Sequence, residues 1–181
     1  MKLEDVNWSE LLEYNPSTGF LKWNPRNESA FTTPQKWAMW TKQFCGKVAG
    51  SKAFARGRRQ AVTIRYKDKL YMAHRIIWTM THGVIQWGYV PDHKDGDPWN
   101  NRLDNLRMAT HQQNSYNAGL SSRNASGIKG IAWHKASKKW VARIRFDGKE
   151  KHLGLYPTKG LAAVAHAKAA IRYHGEFVRL S

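Results

Sequence analysis

The sequence predicts an α+β protein built in two parts. Three observations carry that expectation. Residues 88–117 follow a strand, loop, strand, helix order; residues 128–174 follow three alternating strands with an alanine-rich helix; and the stretch between, AGLSSRNASG, is rich in Ser, Asn and Gly and has no periodicity. The expected boundaries are a first domain over 1–116, a linker over 117–126 and a second domain over 127–181.

At the N-terminus, Asn7 with Glu10 three residues later predicts a capped short helix carrying Trp8, Leu11 and Leu12. The Tyr14-Asn-Pro-Ser-Thr-Gly19 run then turns the chain into a strand over Phe20 to Trp23. Residues 24–44 are polar and 46–57 are basic and glycine-bearing, so both are expected to be largely irregular. Trp37 and Trp40, three apart, are expected to pack locally. Lys47, Lys52, Arg56, Arg58 and Arg59 are candidates for contact with a phosphate backbone. Ala61 to Tyr66 and Leu70 to Ala73 alternate around Lys-Asp-Lys, which predicts a hairpin. His74 to Thr81, with Ile76, Ile77 and Met80 on one face, predicts a helix closed by Gly83.

Tyr89 to Asn117 holds the one tight cluster of acid, imidazole and carboxamide groups suited to phosphodiester chemistry. A strand ends at the Asp92-His93 pair, and Gly96 and Pro98 keep the following KDGDPWNN irregular. Asn105 to Ala109 predicts a second strand. Thr110 with Gln113 three residues on predicts a reciprocally capped helix that carries Asn114. Cleaving a phosphodiester calls for a hard cation on the phosphate oxygens, and carboxylate and carboxamide oxygens suit magnesium; Asp92 and Asn114 are the candidate ligands. The attacking water needs a base that titrates near neutral pH, which an imidazole supplies, so His93 is the candidate general base. Adjacent strand residues point to opposite sides, which suits a metal on one side of the phosphate and a base on the other.

VPDHKDGDPWNNRLDNLRMATHQQN resembles the HNH endonucleases, specifically the phage and intron-encoded homing enzymes with a ββα-metal fold. The parts that match are the DH pair, the Asn-rich loop, the DNLR segment and the Asn that follows the TxxQ helix start. The resemblance implies that Asp92 and Asn114 bind a divalent metal, Mg2+ or Mn2+, and that His93 activates water. It also implies that Asn105 is the middle Asn bracing the loop that carries His93. The third position is Asn114 where many members have His, an H-N-N variant. The opening LLEYNPSTGFLKW and the HRIIW segment are similar to stretches of the same family, and neither is given a chemical role. His74 is expected to be a core histidine.

In the second part, Ile128 to Trp133, Trp140 to Phe146 and Glu150 to Tyr156 predict three antiparallel strands, the last two joined at Asp147-Gly148. The helix over Lys159 to His174 is expected to present Leu161, Val164, Ala165, Ala169 and Ile171 to that sheet. SGIKGIAWHKASKKWVARIRFDGKEKHLGLYPTKGLAAVAHAKAAIRYHGEFVRL resembles the APETALA2-type DNA-binding domain, in which the sheet enters the major groove. By that resemblance the DNA face comprises Lys129, Trp133, Arg143, Arg145 and Lys151. Period alone places Arg143 and Arg145 on one face.

Composition fits a polyanionic partner. Thirty Lys and Arg against 13 Asp and Glu leave a net charge of +17. The last 61 residues carry 13 basic and 3 acidic residues, hence +10 of that total. Double-stranded DNA is the expected partner. No apolar run approaches membrane-spanning length, and the single cysteine, Cys45, excludes an internal disulfide and a Cys-rich zinc site. With no signal segment at the N-terminus, the host cytoplasm is the expected compartment. A non-cleaving DNA-binding regulator and a structural or RNA-binding protein are the rival classes. The presence of Asp92, His93 and Asn114 disfavours the first, and the lack of an RNP-type aromatic pattern disfavours the second.

Overall fold

The computed structural model describes residues 1–52, 54–55, 58–121 and 123–179, with only the backbone at 54–55 and 58–59. The phosphate-contact candidate Arg56 lies outside the described residues, as do the side chains of Arg58 and Arg59. Two compact units divide the chain, Met1–Met108 and Ala109–Ser181.

In the first unit, helix α1 (Trp8–Leu11) is a single turn, and Asn7 accepts no cap hydrogen bond, contrary to expectation. Burial fixes the turn instead: the Trp8 indole N–H donates to the Leu3 carbonyl at 2.9 Å, and its ring meets Tyr66 and Tyr71 edge-on. Leu12 is already extended, so the chain forms a hairpin, β1 (Leu12–Asn15) with β2 (Phe20–Trp23), where one strand was expected. Its turn is closed by the Asn15 side chain, which accepts the Ser17 and Thr18 amides, and by Gly19 at φ +75°.

Residues 24–44 are not irregular. They contain helix α2 (Pro34–Phe44), started by Thr33, which accepts the Lys36 amide, and by Pro34 at the first helical position. Trp40 packs on Trp23, Phe31 and Phe44, while the Trp37 indole donates to the Arg26 carbonyl, so both tryptophans do pack locally. The 46–57 stretch is also more regular than expected, with single bridges at Val48 and Ser51 and a two-residue pairing of β3 (Phe54–Ala55) with β4 (Arg58–Arg59).

The hairpin β5 (Thr63–Tyr66) and β6 (Lys69–Met72) turns through Lys67 and Asp68, both at positive φ, the backbone of a tight two-residue turn. Helix α3 (Ala73–His82) follows and ends at Gly83, φ +81°. Its Ile76 and Ile77 are fully buried with Trp8, Leu12, Ile64 and Leu106, each such side chain contributing about 1.5–3 kcal/mol by leaving water. Strands β7 (Tyr89–His93) and β8 (Leu106–Thr110) pair on this core.

The second unit opens with helix α4 (His111–Asn117). Its start shows the expected reciprocal cap: Thr110 accepts the Gln113 amide and the Gln113 side chain accepts the Thr110 amide. Strands β9 (Ile131–His134), β10 (Lys139–Phe146) and β11 (Lys149–Tyr156) form an antiparallel sheet in the order β11-β10-β9, and helix α5 (Lys159–His174) lies on one face. A bulge after Ala142 shifts the β10-β11 register, so that Arg143 faces His152 and Ala142 faces Gly154.

Helix α5 docks through the expected Ala169 and Ala165 but not through the expected Leu161, Val164 and Ile171. Ala162, His166, Ala169, Ala170 and His174 are buried, whereas Leu161, Val164 and Ile171 are 51–58% exposed. Small side chains let the helix lie close on the sheet, and His174 is satisfied where it lands: its Nε2 hydrogen-bonds the Arg145 carbonyl at 2.8 Å and its ring stacks on Tyr116 at 3.8 Å. Gly130, φ +70°, admits the His166 ring, which would lie 2.4 Å from any Cβ built there.

Candidate active site

Burial along β7 runs from an exposed Tyr89 to fully buried Pro91, Asp92 and His93, so the strand ends with an acid and an imidazole inside the protein. The two adjacent side chains meet different partners. The Asp92 carboxylate accepts two N–H groups of Arg107, from Nε at 3.1 Å and Nη2 at 3.0 Å; Arg107 stands on the paired strand β8. The His93 Nε2 lies 2.9 Å from the Asn101 side-chain oxygen, and the His93 ring meets that of His74 edge-on at 4.9 Å between centroids.

Asn105 stitches the loop between the strands. Its carbonyl accepts the Lys94 amide, its side-chain oxygen accepts the Asp95 amide, and its amide nitrogen donates to the Asp95 carboxylate and the Asn100 carbonyl. Burial opposes ionisation of Asp95, yet the donors around it (the Asp97 amide, Asn100 and Asn105) hold its carboxyl below the usual range. The loop that leaves His93 is therefore cross-linked by a buried carboxamide and a charged carboxylate. A loop so fixed keeps the imidazole in one position.

His74 is pushed down to about 3, chiefly by burial, with His93 and Arg75 adding to the effect. It is neutral at physiological pH, and its Nδ1 has no hydrogen-bond partner among the described residues. The sign of the linkage follows. The unfolded chain takes up a proton near the ordinary value of about 6.5 and the folded chain does not, so stability falls as pH drops below that value. At about pH 5 the loss from this one group is about 2 kcal/mol. Thermal unfolding measured from pH 8 to 5 should show the decline, and His74→Gln should flatten it. A slope unchanged in that variant would assign the acid sensitivity elsewhere.

Among the described residues no three His, Cys, Asp or Glu side chains cluster as a metal cage. Asp92 brings a single carboxylate, and magnesium is characteristically bound through one or two carboxylates, with waters and substrate phosphates completing its shell. Asn114 lies on α4, in the second unit.

The candidate DNA residues of the sheet fall on two faces. Arg143 and Arg145 are exposed on the face away from α5, where Arg143 pairs with Glu150 at 3.2 Å and both line a groove of about 890 Å³ with Arg123 and His134. Trp133, 48% exposed, is the cross-strand partner of Trp140, whose ring packs with Ala162 of α5. Lys151 pairs with buried Ile144, and its ammonium sits 4.4 Å over the Tyr173 ring of α5. The Lys129 ammonium is committed to the Tyr116 and Ala118 carbonyls at 2.7 and 2.9 Å, and burial lowers its pKa. It acts as a cap on the end of α4.

Sequence reasoning assigned no role to Asn101 or Arg107. Both were visible in part: Arg107 and Ala109 share a strand face by alternation, and Asn101 is the second Asn of the loop. The partner each one meets is set by folding.

The strand, braced loop and strand bury an acid beside an imidazole. The family model for HNH endonucleases matches residues 71–116, which span α3, both strands and all of α4 but its last residue. Protein 3.8 of Escherichia phage T7 is 34% identical over 106 residues, covering 59% of this chain and 87% of that protein. An uncharacterised HNH endonuclease of Acanthamoeba polyphaga mimivirus is 30% identical over 151 residues, covering 82% of this chain and 72% of its own. The protein belongs to the HNH endonuclease family. Among solved structures, that of the HNH homing endonuclease I-HmuI aligns with 84% of this chain and 75% of its own, at 22% identity and a TM-score of 0.38.

Proposed function

We propose that the protein is a divalent-metal-dependent DNA endonuclease of the homing type, with His93 as general base. The observation that carries this reading is the burial of Asp92 and His93 side by side at the end of β7, each held by a separate partner. In a chain with a net charge of +17, nucleic acid is the substrate that its electrostatics favour. His93 takes the proton of a water that attacks phosphorus as one P–O ester bond breaks. Asp92 would hold Mg2+ or Mn2+ and, on motif order alone, Asn114 would supply the second ligand; the cation offers Lewis-acid stabilisation of the phosphate oxygens. Arg107, bonded to Asp92, fixes the orientation of that carboxylate. Asn105 keeps the loop, and with it His93, in place.

The test is incubation of the full chain with supercoiled and relaxed plasmid over a magnesium and manganese titration, followed by mapping of the ends. Metal-dependent cleavage supports the reading, and the ends distinguish nicking from double cutting. Binding without cleavage at any metal concentration would reduce the protein to a DNA-binding one.

We further propose that the sheet of the second unit is an APETALA2-type reader of duplex DNA, with Arg143 and Arg145 at its centre. Both are exposed on the face opposite α5. Trp133 and Lys151, on the α5 side of the sheet, would lie outside that contact, and Lys129 would support it by holding the end of α4. Arg145→Ala should weaken binding to the preferred duplex by about 1–3 kcal/mol if that side chain addresses a base edge, and should weaken all duplexes alike if it holds a phosphate. Isotherms on the cleaved sequence and on a scrambled duplex, at two salt concentrations, decide between the two. An unchanged affinity for both would remove Arg145 from the interface.

A further inference from the structure

The N-terminal hairpin β1-β2 is remote in sequence from the site, yet two of its residues grip the segment that holds His93. The Tyr14 hydroxyl donates to the Asn101 carbonyl at 3.2 Å and accepts the Leu103 amide at 3.1 Å, so one side chain brackets residues 101–103. Gly19, in the hairpin turn, lies against the same segment. A Cβ built on it would fall 2.7 Å from the Arg102 nitrogen and 2.8 Å from the Asn101 carbonyl carbon, and its φ of +75° favours glycine in any case. Asn101 is thereby enclosed, with 2% of its surface exposed, and its side-chain oxygen points at the His93 Nε2 from 2.9 Å.

We infer that the hairpin is a positioning element of the active site: Tyr14 and Gly19 fix Asn101, and the Asn101 side-chain oxygen fixes His93 as the tautomer protonated on Nε2. An amide oxygen can only accept, so the hydrogen between the two groups belongs to the imidazole. A neutral imidazole protonated on Nε2 carries its basic lone pair on Nδ1, which is then the atom that takes the proton from water. The same contact sets the angle of the ring, and the edge of His74 limits its rotation on another side. The bond also stabilises the imidazolium formed once the water has been deprotonated, because Nε2–H remains a donor in both states. Asn101 and Tyr14 touch neither substrate nor metal in this account. They are positioning residues, and the inference rests on the assignment of His93 as general base.

Two readouts separate positioning from mere stability. The first is the tautomer of His93, from long-range ¹H–¹⁵N correlation of the histidine rings in the full-length protein above neutral pH, with His93→Gln identifying its signals. The wild type should show Nε2–H, Asn101→Asp should keep it because the accepting oxygen stays, and Asn101→Ala should give a mixture of tautomers. The second is single-turnover plasmid cleavage. Asn101→Ala should lose about 10- to 100-fold in rate at unchanged DNA affinity, Tyr14→Phe about fivefold, and Asn101→Asp should recover most of the Asn101→Ala loss. A His93 protonated on Nδ1 in the wild type overturns the inference even if no variant folds. So does an Asn101→Ala protein with wild-type tautomer and rate, and a wild-type rate in Tyr14→Phe removes the hairpin from the device. If the wild type cleaves no DNA, the nuclease assignment fails, while the tautomer measurement still decides whether Asn101 fixes His93.

Discussion

His93→Ala should slow cleavage by about two to four powers of ten while DNA affinity stays close to that of the wild type. The imidazole is buried at the end of β7, with its Nε2 held by Asn101, so its removal takes away proton transfer and leaves the chain's charged surface unchanged. Affinity for a polyanion comes from charge spread along the whole chain, +10 of it in the last 61 residues, none of which this substitution alters. Cleavage of supercoiled plasmid under single-turnover conditions, beside binding isotherms for a labelled duplex, makes the comparison. Equal rates in the two proteins would exclude His93 as the base, and a parallel loss of affinity would show that it serves in binding.

Asp92→Ala should cost both activity and stability. The carboxylate and the Arg107 guanidinium are joined by two N–H···O contacts of 3.0–3.1 Å, and their side chains are 6% and 10% exposed. Removing one partner from such a buried pair costs about 3–5 kcal/mol, a large fraction of the stability of a small domain. Inactivity of Asp92→Ala alone therefore does not establish metal ligation. The double variant Asp92→Leu with Arg107→Met separates the effects: replacing both charges with apolar groups of similar size should return urea stability to near the wild-type value, and cleavage should stay absent at every magnesium concentration. Restored cleavage in the double variant would mean that Asp92 acts only through the ion pair.

Much of the fold was legible where its signals are local. The Thr110-Gln113 cap, the turn at Lys67-Asp68 and the closing Gly83 each act through neighbours within a few residues, and each appears where the sequence places it. Helix α2 was missed although Thr33-Pro34 is a good start signal and Trp37, Trp40 and Phe44 recur at helical spacing; none of its residues is buried. The docking stripe of α5 includes the expected Ala165 and Ala169 but not its larger expected members. Hydrophobicity favours Leu161, Val164 and Ile171, but close approach to a sheet favours alanine, and the buried histidines find their hydrogen bonds and stacking partners only in the folded state. In the site itself, residue types pointed to Asp92, His93 and Asn114, and the family resemblance to Asn105. The partners Asn101, Arg107 and His74 depend on contacts that strand pairing and the N-terminal hairpin create, and no spacing rule encodes them.

The end of helix α4 bears on how proteins of this kind can be recombined. The Lys129 ammonium is bound to the Tyr116 and Ala118 carbonyls, the Tyr116 ring is stacked on His174, and the Tyr116 hydroxyl accepts the Asp147 amide, so this short helix is stitched to the sheet module that follows it. Grafting the sheet module onto another enzyme with a junction inside 119–126 would strip that module of the Tyr116 ring and of the Tyr116 and Ala118 carbonyls. A junction between Met108 and Ala109 keeps them. It also transfers Asn114 with the module, so an exchange of such modules would exchange the proposed second metal ligand as well.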